Sequence, residues 1–171
     1  MSEMVAAIVL AAGQSNRMGC PKALLSFNGK TFIRGVVDLL TTGGLSPIVV
    51  VLGAYAGQVQ NEVERLKVHV TINHAYRTGQ LSSLRQGLVS VRRHNVTGVL
   101  VYPVDHPAVT AETVKTILDC FASTRAPVVV PTYKGRRGHP VIFSSALFDE
   151  LDSGTCCGVA ACKGRCGSSC R

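Results

Sequence analysis

Residues 10–25 read LAAGQSNRMGCPKALL, from Leu10 to Leu25, and the rest of the chain is organised around them. The stretch just before and into it, Met4 to Leu10, is apolar almost throughout and reads as a parallel strand buried on both faces. Then come Gly13 and Gly19, with Ser15, Arg17 and Lys22 between and after them. Glycine lets a backbone turn tightly and approach a ligand closely. Exposed N–H groups in such a loop hold phosphate oxygens, and an arginine and a lysine add positive charge where an anion accumulates negative charge. A strand running into this loop therefore reads as a phosphate cradle. It matches neither GxxxxGK[ST] nor GxGxxG, and an ordinary glycine-rich β–α connection is the plainer alternative.

Strand and helix signals alternate along the remaining chain. The spacing of Phe32, Ile33, Val36, Val37, Leu39 and Leu40 predicts an amphipathic helix over Thr31 to Leu40, stopped at Gly43-Gly44. Ile48 to Leu52 reads as a second buried strand, ended by Gly53 at the carboxyl edge where open α/β sheets place ligands. A polar helix over Gln58 to Leu66 leads to a third strand, Val68 to Ile72. Asn73 to Leu88 reads NHAYRTGQLSSLRQGL, in which Gly79, Ser82 and Ser83 open a helix with apolar positions Leu81, Leu84, Leu88 and Val91. The serines serve either as cap and first-turn residues or as ligand contacts. Val99 to Val104 is a fourth buried strand running into Asp105, His106 and Pro107. A carboxylate there is costly unless paired or metal-bound, although capping of a helix beginning near Thr110 is the alternative. A helix over Ala111 to Phe121 and a strand over Val128 to Val130 precede YKGRRGHPVIF, Tyr133 to Phe143, a basic turn and a return strand. The alternation predicts a single three-layer α/β/α domain of Rossmann-like type with a mostly parallel sheet.

The pattern LAAGxSxRMGxPKxLL resembles the signature of nucleotidyltransferases that share the nucleotide-diphospho-sugar transferase fold. It is most similar to the MobA-like branch, and within it to the molybdenum cofactor cytidylyltransferases. The resemblance implies transfer of a nucleotidyl group from an NTP to a phosphorylated acceptor, with release of pyrophosphate. It implies that Leu10, Ala11, Ala12, Gly13 and Ser15 cradle the triphosphate, that Arg17 and Lys22 stabilise its charge, and that Asp105, in a segment similar to the family's Asp-x-Pro, holds Mg²⁺. The base would lie between this loop, Gly53 and the segment Asn73, Gly79, Ser82 and Ser83. Arg136, Arg137 and His139, beside the family's G-H-P-V segment, would face the anionic acceptor. Ala12, giving LAAG rather than LAGG, resembles the cytidylyl-using members and favours CTP over GTP, with molybdopterin as acceptor and a molybdoenzyme as downstream recipient. A guanylyltransferase, a sugar-phosphate nucleotidyltransferase and a catalytically weak nucleotide-binding accessory are the alternatives.

At 171 residues the chain is long enough for one core, and 46% hydrophobic with 16% charged residues excludes disorder. A net charge of +8 suits an anionic small molecule. A nucleic-acid partner is not expected, because the basic residues are scattered among only four tyrosines and five phenylalanines. No apolar run reaches the length of a membrane span, and the amino-terminal residues lack a signal peptide's basic region, so a cytoplasmic protein is expected. Cys20 and Cys120 are isolated and are expected to be reduced.

The boundary of the nucleotidyltransferase domain is drawn at 1–152, and 153–171 is set apart as a Cys- and Gly-rich tail. Cys156, Cys157, Cys162, Cys166 and Cys170 crowd there without strand or helix periodicity. The fourfold spacing of the last three would align them on one helix face for a soft metal, but neither CxxC nor histidine accompanies them. A redox role lacks any supporting feature. The reading preferred is a frame-shifted or artificial end, poorly ordered, in place of the family's own. The family's second metal-binding aspartate near its end has no convincing counterpart here in Asp149 or Asp152.

Overall fold

The computed structural model describes residues 4–15 and 19–153. Arg17 and the five clustered cysteines of the tail therefore lie outside the described residues.

The chain builds β1 (Val5–Ala11), the short hairpin β2 (Ser26–Phe27) and β3 (Lys30–Thr31), α1 (Phe32–Thr42), β4 (Ile48–Leu52), α2 (Ala56–Val63), β5 (His69–Ile72) and α3 (Gln80–Val91). It continues through β6 (Gly98–Pro103), α4 (Ala111–Thr124), β7 (Val128–Val129), the hairpin β8 (Thr132–Tyr133) and β9 (Arg136–Arg137), β10 (Val141–Ser144) and α5 (Phe148–Ser153). Six strands form one sheet in the order β5-β4-β1-β6-β10-β7. β1, β4, β5 and β6 run parallel, and β10 is reversed against both β6 and β7. The expected mostly parallel Rossmann-like sheet is the one observed. The position of the return strand was not legible: β10 inserts between β6 and β7 instead of pairing only with the strand before it.

The sequence explains the layers. β1, β4 and β6 are apolar on both faces and need a cover on each. On one face Val9, Val50, Leu52 and Leu100 pack with α1, α2 and α4 through Ile33, Leu40, Val59 and Ile117. On the other, Ile8, Leu10, Val49 and Val51 pack with α3 and α5 through Leu84, Leu88, Phe148 and Leu151. The Thr31 hydroxyl accepts from the Arg34 N–H and caps α1, and the Thr110 hydroxyl caps α4 in the same way. α3 begins at Gln80, so both serines lie inside its first turn, and Leu81 points outward instead of joining the buried face.

α3 approaches β1 closely because it carries Gly87 where the two meet. A Cβ there would stand 2.7 Å from Ile8 Cγ2. Helix propensity alone favours alanine by about 1 kcal/mol, whereas overpacking a filled core costs about 1–3 kcal/mol. Gly87→Ala is therefore expected to destabilise the protein by a net of up to about 2 kcal/mol, read as a lower urea midpoint at unchanged slope. A raised midpoint would mean that α3 lifts from β1 at no cost.

Candidate functional site

The sheet creates the site by reversing its direction of growth at β1. The chain adds β4 and β5 on one side of β1 and then crosses to add β6 on the other. Loops leaving the carboxyl ends of β1 and β6 diverge at such a point and leave a crevice. Register brings the ends level: Leu10 pairs with Pro103, and Ala11 with Leu52. The crevice is a cleft of about 800 Å³ lined by residues 10–15 and 21–23, Tyr76, Gly79, Gln80, Ser83, residues 103–106 and His139.

A hydrogen bond ties the two ends of the loop after β1 together. Ser15, in the left-handed region at φ 46°, accepts from the backbone N–H of Lys22 at 3.3 Å. Lys22 then opens a single 3₁₀ turn, Lys22–Leu24, pinned by buried Ala23. From there its ammonium reaches across the cleft and donates to Asp105 Oδ2 at 2.9 Å.

Asp105 stands in the turn after β6. The N–H of His106 donates to the Pro103 carbonyl, and the hydroxyl of fully buried Tyr102 donates to the His106 carbonyl at 2.7 Å. Burial pushes the Tyr102 phenol well above its usual range, so it stays a donor. Partial burial works to raise the Asp105 carboxyl, but the hydrogen bond and charge of Lys22, helped by His106, outweigh it and hold the group below its ordinary value. His106 Nε2 lies 3.9 Å from Asp105 Oδ1. Its ring stacks on His139 with centroids 5.2 Å apart and planes 22° apart, which brings the strand after the β8–β9 hairpin to the cleft.

Asn73, Ser82 and Ser83 form a compact hydrogen-bonded group. Asn73, 3% exposed, donates through Nδ2 to both serine hydroxyls at 2.8 and 3.0 Å and accepts the Ala75 N–H at 2.9 Å. Ser83 lines the cleft, while Asn73 and Ser82 stand behind it and brace the Asn73–Gly79 loop against α3. Gly79, at φ 116°, turns the chain into that helix and faces the cleft.

Of the residues singled out in sequence, the cleft thus brings together Leu10, Ala11, Ala12, Gly13, Ser15, Lys22, Gly79, Ser83, Asp105 and His139. Gly53 lies beside it: a Cβ there would stand 2.6 Å from the Ala12 carbonyl oxygen, so glycine is required where the ends of β1 and β4 touch. Arg136 and Arg137 form the exposed strand β9 and are not among the lining residues. Gln14, Tyr76 and Gln80 line the cleft without having been singled out. Tyr102 was missed as well; its signal was the one polar-tipped side chain within the run Val99 to Val104. Asp149 and Asp152 both bind Arg92, at 2.8 and 2.7 Å, joining α5 to the end of α3.

The family model for the MobA-like NTP transferase domain matches residues 7–160. The chain belongs to the MobA-like NTP transferase family. It is 30% identical over 154 residues to the nicotine blue oxidoreductase of Paenarthrobacter nicotinovorans, a match covering 84% of this chain and 72% of that protein. It is 31% identical over 132 residues to a probable molybdenum cofactor guanylyltransferase of Bacillus cereus, covering 77% of this chain but only 64% of the relative. Among solved structures, Rv0371c of Mycobacterium tuberculosis superimposes with a TM-score of 0.77 at 29% identity, covering 90% of this chain and 77% of that one. The same mycobacterial protein has also been crystallised as a manganese complex. This MobA-like chain places its glycine loop at the end of its first strand. Among the described residues, no helix is long and apolar enough to cross a membrane, and neither Cys20 nor Cys120 is in a disulfide.

The His106–His139 stack carries a consequence for stability. Partial burial lowers the His139 imidazole below its ordinary 6.5, the neighbouring His106 lowers it further, and Asp105 opposes both. The unfolded chain then binds more protons than the folded one in the window just below pH 6.5. The contribution is complete above that pH and is lost as pH falls through the lower folded value. Wild type is therefore expected to lose stability more steeply than His139→Gln between pH 7.5 and 5, measured by urea midpoints. Parallel pH curves would remove this account.

Tyr102→Phe, which leaves the His106 carbonyl without its donor, is expected to cost about 0.5–1.5 kcal/mol in the same assay. A neutral result would mean that the Asp105 turn is held without it.

Proposed function

We propose that this chain transfers a nucleotidyl group from a Mg²⁺-bound NTP to a phosphorylated acceptor, releasing pyrophosphate. The observation that carries the reading is the meeting of Lys22 and Asp105 at 2.9 Å across a glycine-lined cleft at the reversal point of the sheet. One cation and one hard-oxygen ligand are there juxtaposed where a triphosphate fits.

The donor set suits Mg²⁺. This ion prefers oxygen, keeps several waters, and takes one or two carboxylates together with substrate phosphates. Asp105 offers a half-exposed carboxylate, and among the described residues no group of three or more ligating side chains stands ready to hold a metal alone. Phosphate oxygens would complete the shell, and the ion would neutralise charge on them.

The remaining work is positioning and electrostatic stabilisation. The backbone of Ala12 and Gly13, with Ser15, cradles the triphosphate, and Arg17 stabilises charge on its β and γ phosphates. Lys22 stabilises charge on the α-phosphate. An acceptor phosphate oxygen attacks the α-phosphorus in line, the bond to the β-phosphate oxygen breaks, and pyrophosphate leaves with its electron pair. The acceptor enters from the side of His139, with Arg136 and Arg137 on the neighbouring hairpin drawing in its negative charge. The base lies toward the adjoining hollow between Gln14, Ala54, Tyr55, Tyr76 and Arg77, next to Gly53 and in front of the Asn73, Ser82 and Ser83 group.

CTP is the proposed nucleotide. Ala12, giving LAAG where the guanylyl-using members have LAGG, adds a methyl beside Gly53, and one methyl near the base disfavours a purine by about 1–3 kcal/mol. The name of the Bacillus relative favours GTP, which is the second reading. Molybdopterin is the proposed acceptor and a molybdoenzyme the recipient, in the cytoplasm. A weakly catalytic accessory role is favoured by one observation: Asp149 and Asp152 are both engaged with Arg92.

The test is release of pyrophosphate from CTP or GTP with Mg²⁺ and molybdopterin. Lys22→Ala and Asp105→Asn are each expected to lower kcat/KM by about 100-fold or more. Nucleotide binding without turnover would leave the accessory role, and failure to bind either nucleotide would overturn the proposal.

A further inference from the structure

We propose that the Lys22–Asp105 ion pair is a mutual latch that keeps the divalent-cation site and the triphosphate site closed until both ligands arrive together. The inference rests on the nucleotidyl-transfer reading of the cleft and adds its control.

The two side chains are presented by separately braced pieces of backbone. Lys22 is set by the Ser15 hydroxyl and the 3₁₀ turn over buried Ala23. Asp105 is set by the Pro103–His106 turn and the Tyr102 hydroxyl. The fold therefore does not need the pair to hold either residue, and both side chains are 40% exposed, where an ion pair adds little to stability. Its effect falls on ligands instead. Asp105 Oδ2 is taken by the ammonium, and Oδ1 faces the His106 ring at 3.9 Å. A divalent cation arriving alone must displace Lys22 and then sit beside a liberated positive charge. A triphosphate arriving alone must take Lys22 from Asp105 and then face a liberated carboxylate. Arriving together, the phosphate takes the ammonium and the cation takes the carboxylate, so neither liberated charge is left unmatched. Binding of each ligand is thereby coupled to the other through one exchange of partners. The consequence is selection of the metal–nucleotide complex over free metal or free nucleotide.

The coupling is tested with each ligand alone, so that metal–nucleotide association in solution does not enter. Free Mn²⁺ is titrated by electron paramagnetic resonance without nucleotide, and CTP and GTP are titrated by calorimetry in excess chelator. Lys22→Met is expected to bind Mn²⁺ about three- to tenfold more tightly than wild type, since both the competing contact and a like charge are gone. Asp105→Asn is expected to lose Mn²⁺ yet bind metal-free nucleotide about three- to tenfold more tightly than wild type. The mirrored pair keeps the test open if one variant folds poorly by circular dichroism. Unchanged or weaker Mn²⁺ binding in folded Lys22→Met, or unchanged or weaker metal-free nucleotide binding in folded Asp105→Asn, overturns the latch and leaves the nucleotidyltransferase reading standing. Absence of Mn²⁺ and nucleotide binding in every form, including wild type with both ligands present, overturns that reading and the latch with it.

Discussion

Everything in this molecule depends on β1 being apolar on both faces. A strand with Ala6, Ile8 and Leu10 on one side and Ala7 and Val9 on the other is stable only when helices cover both. That requirement places β1 inside the sheet, between β4 and β6, and it calls for crossover helices on each face. The carboxyl ends of β1 and β6 then finish level with one another, and their loops diverge. The cleft follows from covering an apolar strand, before any polar residue has been considered.

The polar residues divide into two kinds by what they touch. Lys22, Asp105, Ser83 and His139 face the cleft. Tyr102, Asn73 and Ser82 hold the loops that present them, through hydrogen bonds made in buried or half-buried surroundings. Such bonds give geometric definition, because breaking one leaves an unsatisfied group away from water. Ser15 belongs to both kinds, lining the cleft while its hydroxyl closes the loop on the Lys22 N–H. The nucleotidyl transfer proposed for this cleft needs this division, since electrostatic stabilisation works through groups already in place.

The Lys22–Asp105 pair shows how one contact reads differently in stability and in function. Half exposed on both sides, it contributes little to holding the fold. Yet it joins the loop after the first strand to the turn after the sixth, 83 residues apart in sequence. It sets the charge that any ligand meets on entering. Asp149 and Asp152, by contrast, are bound to Arg92 and tie α5 to α3, so the carboxylates nearest the end of the described chain serve packing.

By itself the sequence determined the elements and the cleft's first wall. Apolar runs without polar interruption marked β1, β4 and β6; threonines and glycines marked the ends of α1 and the start of α4; and a glycine loop after the first strand located one wall of the cleft. These are local properties, carried by periodicity and by the backbone freedom of a few residues. Sequence also placed Asp105 at a strand end, but not against Lys22. Only the tertiary structure decided that contact, the insertion of β10 beside β6, the stacking of His139 on His106, and the withdrawal of Asn73 and Ser82 behind the cleft wall. Each depends on which strand lies next to which, and strand order is set by how two apolar faces are jointly covered. No window of sequence contains that information.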